Sequence, residues 1–134
     1  MLCMRKPISL LFPLAACAWG VLAAASCGGS SNSTSPSTPP AATITITNNT
    51  VNPRNVSVPR GSQVAFVNND NRSHNMMSDP HPEHTDCPEI NSVGALSAGQ
   101  TRQTGNMTTN RTVCGFHDHD NPDVAGLKGT ITIQ

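Results

Sequence analysis

Aromatic residues are scarce in this sequence, whose 134 residues include three Phe, one Trp and no Tyr. Phe12 and Trp19 lie in an apolar stretch near the N terminus, so the rest of the chain contains only Phe66 and Phe116. A domain built from that remainder must have a mainly aliphatic core. We expect its net stability to be on the order of a few kcal/mol, as is usual for a small domain.

Charged residues are also scarce, at 12% of the sequence with a formal net charge of zero. From residue 43 onward, six cationic side chains are present with all eight acidic ones, which gives that region a net charge of −2. Binding to DNA or RNA depends on clustered positive charge that neutralises phosphates. We therefore expect no nucleic-acid partner.

No segment after residue 42 shows a sustained helical period of apolar residues. Short segments with β-branched or alternating residues are present instead, and they are separated by Asn, Pro and Gly turn signals. Strands are predicted for residues 43–47, 55–58, 63–67, 111–114 and 129–133, with turns at 48–53, 59–61 and 97–99. Short strands without helices are typical of an antiparallel β-sandwich or barrel.

The first 26 residues have the pattern of a secretory signal peptide. Arg5 and Lys6 precede an apolar run over residues 8–26 that ends in small residues. Pro13 and these small residues favour cleavage over a membrane-spanning helix. We therefore predict that the protein is exported.

Cys27 is the candidate lipidation site. The segment Ala-Ala-Ser-Cys-Gly-Gly-Ser at residues 24–30 resembles a bacterial lipoprotein processing site, in which the cysteine becomes the lipidated first residue. Cleavage before Cys17 is the alternative, but it would leave an apolar stub on the mature chain. Residues 27–42 would then be a flexible linker rich in Ser, Thr and Pro, and residues 43–134 the folded domain. We expect a periplasmic or envelope protein that is held at a membrane by lipid.

Residues that could bind a metal are concentrated in two segments. All five histidines lie between His74 and His119, and the same span contains Cys87 and Cys114. Cys114 and His117 are three residues apart, and a tight turn would bring both to one metal. His74, which follows the predicted strand at 63–67, would supply a second imidazole. Two imidazoles and one thiolate form a set that favours copper that cycles between Cu(I) and Cu(II).

Four segments resemble the plastocyanin branch of the cupredoxins: Phe-Val-Asn-Asn at 66–69 with His74-Asn75, Leu-Ser-Ala-Gly-Gln-Thr at 96–101, Cys-Gly-Phe-His at 114–117, and residues 126–133. This resemblance covers nearly all of residues 43–134. It implies an all-β, two-sheet Greek-key β-sandwich with one type 1 copper ion held by His74, Cys114 and His117. It also implies that Asn75 links the two ligand loops.

The resemblance further implies a one-electron carrier, and not an enzyme, that exchanges electrons with redox partner proteins of the cell envelope. In this interpretation, Phe116 and the edge of His117 form the exit for the electron. At the position of the family's weak axial methionine the sequence has Leu127, so the axial position is either vacant or filled by another group. His119, or a carboxylate from Asp118 or Asp120, is the candidate for that group.

The segment His81-Pro82-Glu83-His84-Thr85-Asp86-Cys87 has no counterpart in the family pattern. His81, His84 and Cys87 follow at intervals of three and could form a second zinc or copper site. Solvated loop histidines are the simpler interpretation. A second functional hypothesis is copper buffering or delivery that uses these residues together with His119.

Cys87 and Cys114 also allow a third hypothesis. The two cysteines could form a disulfide bond, because the cell envelope is oxidising. That bond would remove the thiolate on which a type 1 site depends. The domain would then be a metal-free, disulfide-stapled binding module.

Overall fold

The computed structural model of the chain describes residues 39–134. The predicted signal peptide, Cys27 and the linker up to residue 38 lie outside the described residues. The described part contains two 3-10 helices, Ile90–Ser92 and Ala125–Leu127. Its strands are β1 (Ala42–Thr47), β2 (Thr50–Asn52), β3 (Asn55–Val58), β4 (Val64–Asn68), β5 (His74–Ser78), β6 (Gly94–Leu96), β7 (Thr101–Gln103), β8 (Val113–Asp118) and β9 (Gly129–Ile133). Between residues 39 and 134, no helix is long and apolar enough to cross a membrane.

The strands form two sheets. The first has the order β2-β1-β4-β7 and the second has the order β3-β9-β8-β5-β6. Both sheets are mixed, because β1 pairs with β4 and β3 pairs with β9 in parallel, whereas the other neighbours are antiparallel. The predicted all-β sandwich is confirmed, but the purely antiparallel pairing was wrong.

Aliphatic side chains fill the core, as the shortage of aromatic residues predicts. Ile44 and Ile46 of β1 are fully buried, as are Phe66 of β4 and Phe116 of β8. The two phenylalanine rings meet edge to face, with centroids 5.2 Å apart and an interplanar angle of 89°. Such a pair adds about 0.5–1.5 kcal/mol beyond the area that it buries. Because Phe116 is completely buried, its predicted role as a surface exit for electrons is wrong.

The strands with clear alternation were predicted well. β1, β3 and β9 occupy the predicted segments to within one residue, and β4 is shifted by one. The short strand β2 lies within a segment predicted as a turn. β5 was not predicted because its sequence, His-Asn-Met-Met-Ser, does not alternate in polarity, although its residues alternate between buried and half-buried.

A disulfide bond joins Cys87 to Cys114. Both residues are completely buried and belong to the core cluster. The bond therefore ties the loop that follows β5 to the middle of the second sheet. This pairing is the one considered as an alternative in the sequence analysis.

We predict that replacing both cysteines with alanine lowers the free energy of unfolding. The bond closes a segment with a sequence separation of 27 residues, and the chain-entropy relation assigns about 3.5 kcal/mol to a loop of that length. Urea unfolding of Cys87→Ala/Cys114→Ala against the wild type measures the difference. An unchanged midpoint, or two titratable thiols in the denatured, unreduced wild-type domain, would contradict the assignment.

Candidate metal centre

Strand β8 presents different residues on its two faces, because side chains alternate along a strand. Cys114 and Phe116 point into the core. On the opposite face, Gly115 and His117 both meet the side chain of Asp79. His119 continues the same face, since its backbone N–H donates to the carbonyl of Asn75 at 2.7 Å and prolongs the pairing with β5.

The loop after β5 brings two more imidazoles to this face. His81 is exposed, whereas His84 is buried at 8% exposure. His84 has a φ of 54°, a left-handed conformation that costs a non-glycine residue about 1–2 kcal/mol. Its N–H donates to the carbonyl of Pro80 at 2.7 Å, and its own carbonyl accepts from the Asn91 amide at 2.8 Å. These contacts fix the backbone of His84.

Asn91 is a supporting residue that the sequence analysis missed. Besides donating to the His84 carbonyl, its side-chain oxygen accepts the N–H of Ser78 at 2.9 Å. It therefore fixes the loop relative to the end of β5. No motif in the sequence distinguishes this asparagine from the many others.

The four imidazoles of His81, His84, His117 and His119 converge, and one ring nitrogen from each lies within 4.8 Å of the others. His84 Nε2 is 3.3 Å from His117 Nε2 and 3.1 Å from His119 Nδ1. A tetrahedral ion with metal–nitrogen bonds of about 2.0–2.1 Å separates its ligand atoms by about 3.3 Å. The cluster therefore fits one four-coordinate metal ion after a small closure of the rings.

The convergence of these ring nitrogens also favours a bound metal ion. One ring nitrogen offers either an N–H or a single in-plane lone pair, yet His84 Nε2 faces two other ring nitrogens. Burial, followed by the neighbouring His117, His119 and His81, lowers the pKa of His84 below its ordinary value of 6.5. At neutral pH this ring is therefore neutral. A metal ion would satisfy the converging lone pairs, which a single shared proton cannot do.

His74 occupies a separate, fully buried site on the other face of the second sheet. Its Nδ1 is 2.9 Å from Asp118 Oδ2 and its Nε2 is 3.0 Å from Asp70 Oδ2. Ionised carboxylates only accept hydrogen bonds, so both ring nitrogens act as donors. Neither nitrogen then has a lone pair for a metal.

The structure is similar to those of solved cupredoxins. A purple cupredoxin from Nitrosopumilus maritimus matches with a TM-score of 0.52 at 18% identity, over 69% of this chain and 99% of that one. Plastocyanin from Dryopteris crassirhizoma matches with a TM-score of 0.52 at 18% identity and the same coverage. A reduced amicyanin variant matches with a TM-score of 0.51 at 15% identity, over 70% of this chain and 82% of that one. The domain has a cupredoxin-like fold. No protein-family model and no curated protein sequence matches the chain.

Within this cupredoxin-like domain, the structure does not bring the expected ligands His74, Cys114 and His117 together. Cys114 is bonded to Cys87 and has no thiolate, and His74 donates to two carboxylates. The tight turn expected at residues 114–117 does not form, because β8 continues to Asp118. Residues three apart on one strand point to opposite faces, so Cys114 and His117 diverge. The structure thus corrects the expected ligand set.

The remaining predicted residues have mixed outcomes. His119 joins the cluster, as do His81 and His84, whereas Cys87 does not because it is in the disulfide. Leu127, at the expected axial position, is completely buried in the core. Asn75 contacts the end of β8 and the residue after it through its backbone, since its N–H donates to Asp118 Oδ1 at 3.0 Å and its carbonyl accepts from the His119 N–H.

We predict that Asp70→Ala destabilises the domain by about 1.5–3 kcal/mol at neutral pH, as expected for hydrogen bonds to a charged group. Burial alone would raise the pKa of Asp70, but hydrogen bonds from the Asn49 N–H, from His74 and from the Asn48 N–H together lower it below 3.8. The carboxylate therefore contributes fully above about pH 3.9, its unfolded value, and loses its contribution as the pH falls through the lower folded value.

Urea unfolding of both proteins from pH 7 down to pH 2 measures this difference. The exposed Asp123 is the matched control, and Asp123→Ala should change stability by less than about 0.5 kcal/mol. A destabilisation by Asp70→Ala that stays constant across this range would contradict the account.

Proposed function

We propose that this protein binds one copper ion through His81, His84, His117 and His119, and that it buffers or delivers copper in the cell envelope. The observation that carries the proposal is the convergence of four imidazole nitrogens within 4.8 Å. Imidazole suits copper, zinc, iron and nickel, and among divalent ions of this series Cu²⁺ binds a given nitrogen site most tightly. Copper is therefore the ion that we expect.

The fold also supports copper. One of the similar solved structures is an amicyanin variant described in its Cu(I) form, so this architecture can hold the metal in that protein. The ligand set differs from the one expected from the sequence, because the cluster has no sulfur. We therefore infer a copper site of nitrogen ligands in place of the type 1 site expected from the sequence.

The position of the cluster favours exchange of the ion. His81 is exposed and His119 is half-buried, whereas His84 and His117 lie beneath them. Two ligands come from the loop after β5, one from β8 and one from the residue directly after β8, so copper could enter from the solvent side by movement of His81. This arrangement suits a protein that takes up copper and passes it on.

One-electron transfer is the second candidate function. Its support is the cupredoxin-like fold, since a similar fern plastocyanin variant was solved in both oxidised and reduced states. Imidazole ligands bind both Cu(I) and Cu(II). Voltammetry of the copper-loaded protein separates the two functions: a reversible one-electron wave supports a carrier, and copper release on reduction supports delivery.

The envelope location rests on the N-terminal sequence. We predict that Cys27→Ser moves the protein from the membrane fraction to the soluble fraction of a bacterial host that processes lipoproteins, because the acyl chains on Cys27 would be its anchor. Fractionation with Cys17→Ser as the matched control tests this. Release by the Cys17 variant instead would place the processing site there.

We predict that the purified protein binds one Cu(II) per chain without the intense absorption band of a copper–thiolate bond. His84→Ala should weaken binding by at least about 100-fold, because His84 is the ring that contacts both His117 and His119. His81→Ala should weaken binding less, since His81 is exposed. Competition with a chelator of known affinity measures each constant.

Glu83→Ala is the matched control, because Glu83 is an exposed residue between the two loop ligands. Its Cu(II) affinity should remain within a few-fold of the wild type. Retention of full affinity by His84→Ala and His117→Ala would show that copper binds elsewhere and would reject the proposed site.

A further inference from the structure

We propose that Asp79, held against Gly115, is the positioning residue that orients His117 toward the metal. This inference rests on the proposed copper site and names the residue that sets the orientation of one of its ligands. It concerns two residues, Asp79 and Gly115, for which the sequence analysis suggested no function.

Asp79 is fixed beside β8 through its backbone. It directly follows Ser78, which pairs with Phe116 in the ladder between β5 and β8. The N–H of Asp79 donates to the carbonyl of Gly115 at 3.0 Å, and its own carbonyl accepts the N–H of Asp86 at 2.9 Å. The backbone of Asp79 is thus fixed beside β8, which limits where its carboxylate can lie.

Gly115 supplies the space that the carboxylate fills. A Cβ atom built on Gly115 would overlap Asp79 Oδ2 and lie 2.9 Å from Asp79 Cγ. Glycine within a strand weakens it and often marks a close approach of other atoms. At this position the approaching group is a carboxylate, so glycine is required for steric reasons and not for an unusual backbone angle.

The carboxylate controls which nitrogen of His117 can bind a metal. Asp79 Oδ1 lies 2.7 Å from His117 Nδ1, so Nδ1–H donates to it and the lone pair is left on Nε2. That Nε2 is the atom that faces His84. A carboxylate in this position fixes the tautomer of a metal-binding histidine and increases its basicity.

The exposure of the two groups is consistent with this role. The His117 side chain is 2% exposed, whereas that of Asp79 is 46% exposed. Solvent screens a carboxylate that is this exposed, so its hydrogen bond to the neutral ring contributes little to stability by itself. Its effect should therefore be seen in metal binding more than in the free energy of unfolding.

The test uses two measurements on the same set of variants. The first is the tautomer of His117 in the metal-free protein, read by 15N–1H NMR at a pH above the ordinary histidine value of 6.5. The second is Cu(II) affinity by chelator competition. The variants are Asp79→Leu, Asp79→Asn and Gly115→Ala, with Asp86→Asn as the control. Asp86 lies in the same loop, but its carboxylate pairs with Arg111 at 2.6 Å.

We expect the wild type to carry the His117 proton on Nδ1. Asp79→Leu should give a mixture of tautomers and lower Cu(II) affinity by about 10–100-fold. Asp79→Asn should retain most of the tautomer preference, because its amide oxygen still accepts the hydrogen bond. Gly115→Ala should resemble Asp79→Leu, since its Cβ displaces the carboxylate, and Asp86→Asn should resemble the wild type.

An unchanged tautomer and unchanged affinity in Asp79→Leu would overturn the inference. If Gly115→Ala does not fold, the comparison of Asp79→Leu with Asp79→Asn still decides it. A wild-type protein that binds no Cu(II), but whose His117 tautomer depends on Asp79, would reject the proposed copper function and support the orientation of His117 by Asp79.

Discussion

The alternation of side chains along β8 is the constraint on which the rest of the structure depends. One face of this strand contributes Cys114 and Phe116 to the core, and the other presents Gly115 and His117 to the loop that follows β5. His119 comes directly after the strand and contacts His84 of the same loop. Because the strand continues to Asp118, a cysteine and a histidine three residues apart cannot share a metal. Two histidines that are two residues apart can do so. The strand therefore determines both the position of the cluster and its composition of imidazoles alone.

Two of the residues expected from the sequence to bind copper, Cys114 and His74, contribute to the scaffold instead. Cys114 is bonded to Cys87 and anchors one end of the loop that carries His81 and His84, while Asp79 anchors the other end on Gly115. His74 lies between Asp118 and Asp70. Asp70 also accepts the backbone N–H groups of Asn48 and Asn49 in the β1–β2 turn. A buried charge is stable only when it is paired and hydrogen-bonded in this way. The same residues thus hold the loop, the hairpin and the end of β8 together.

Much of the fold could be predicted from the sequence, because β1, β3 and β9 have clear local signals of alternation and turns. The candidate site could be predicted only in part. The sequence showed that the histidines are concentrated in two segments, but spacing alone does not state whether residues 114–117 turn or remain extended. That choice depends on pairing with β5, whose residues do not alternate in polarity. The contacts of Asn91 and Asp79 depend on the same long-range pairing, so no local pattern could have identified them.

X-ray absorption at the copper edge of the copper-loaded protein tests the central claim most directly. The account predicts a first shell of nitrogen scatterers with the multiple-scattering pattern of imidazole rings and no sulfur, and a loss of imidazole scattering in His84→Ala. A short copper–sulfur distance would contradict it. That result would mean that the Cys87–Cys114 bond is open in the copper form and that Cys114 is a ligand after all.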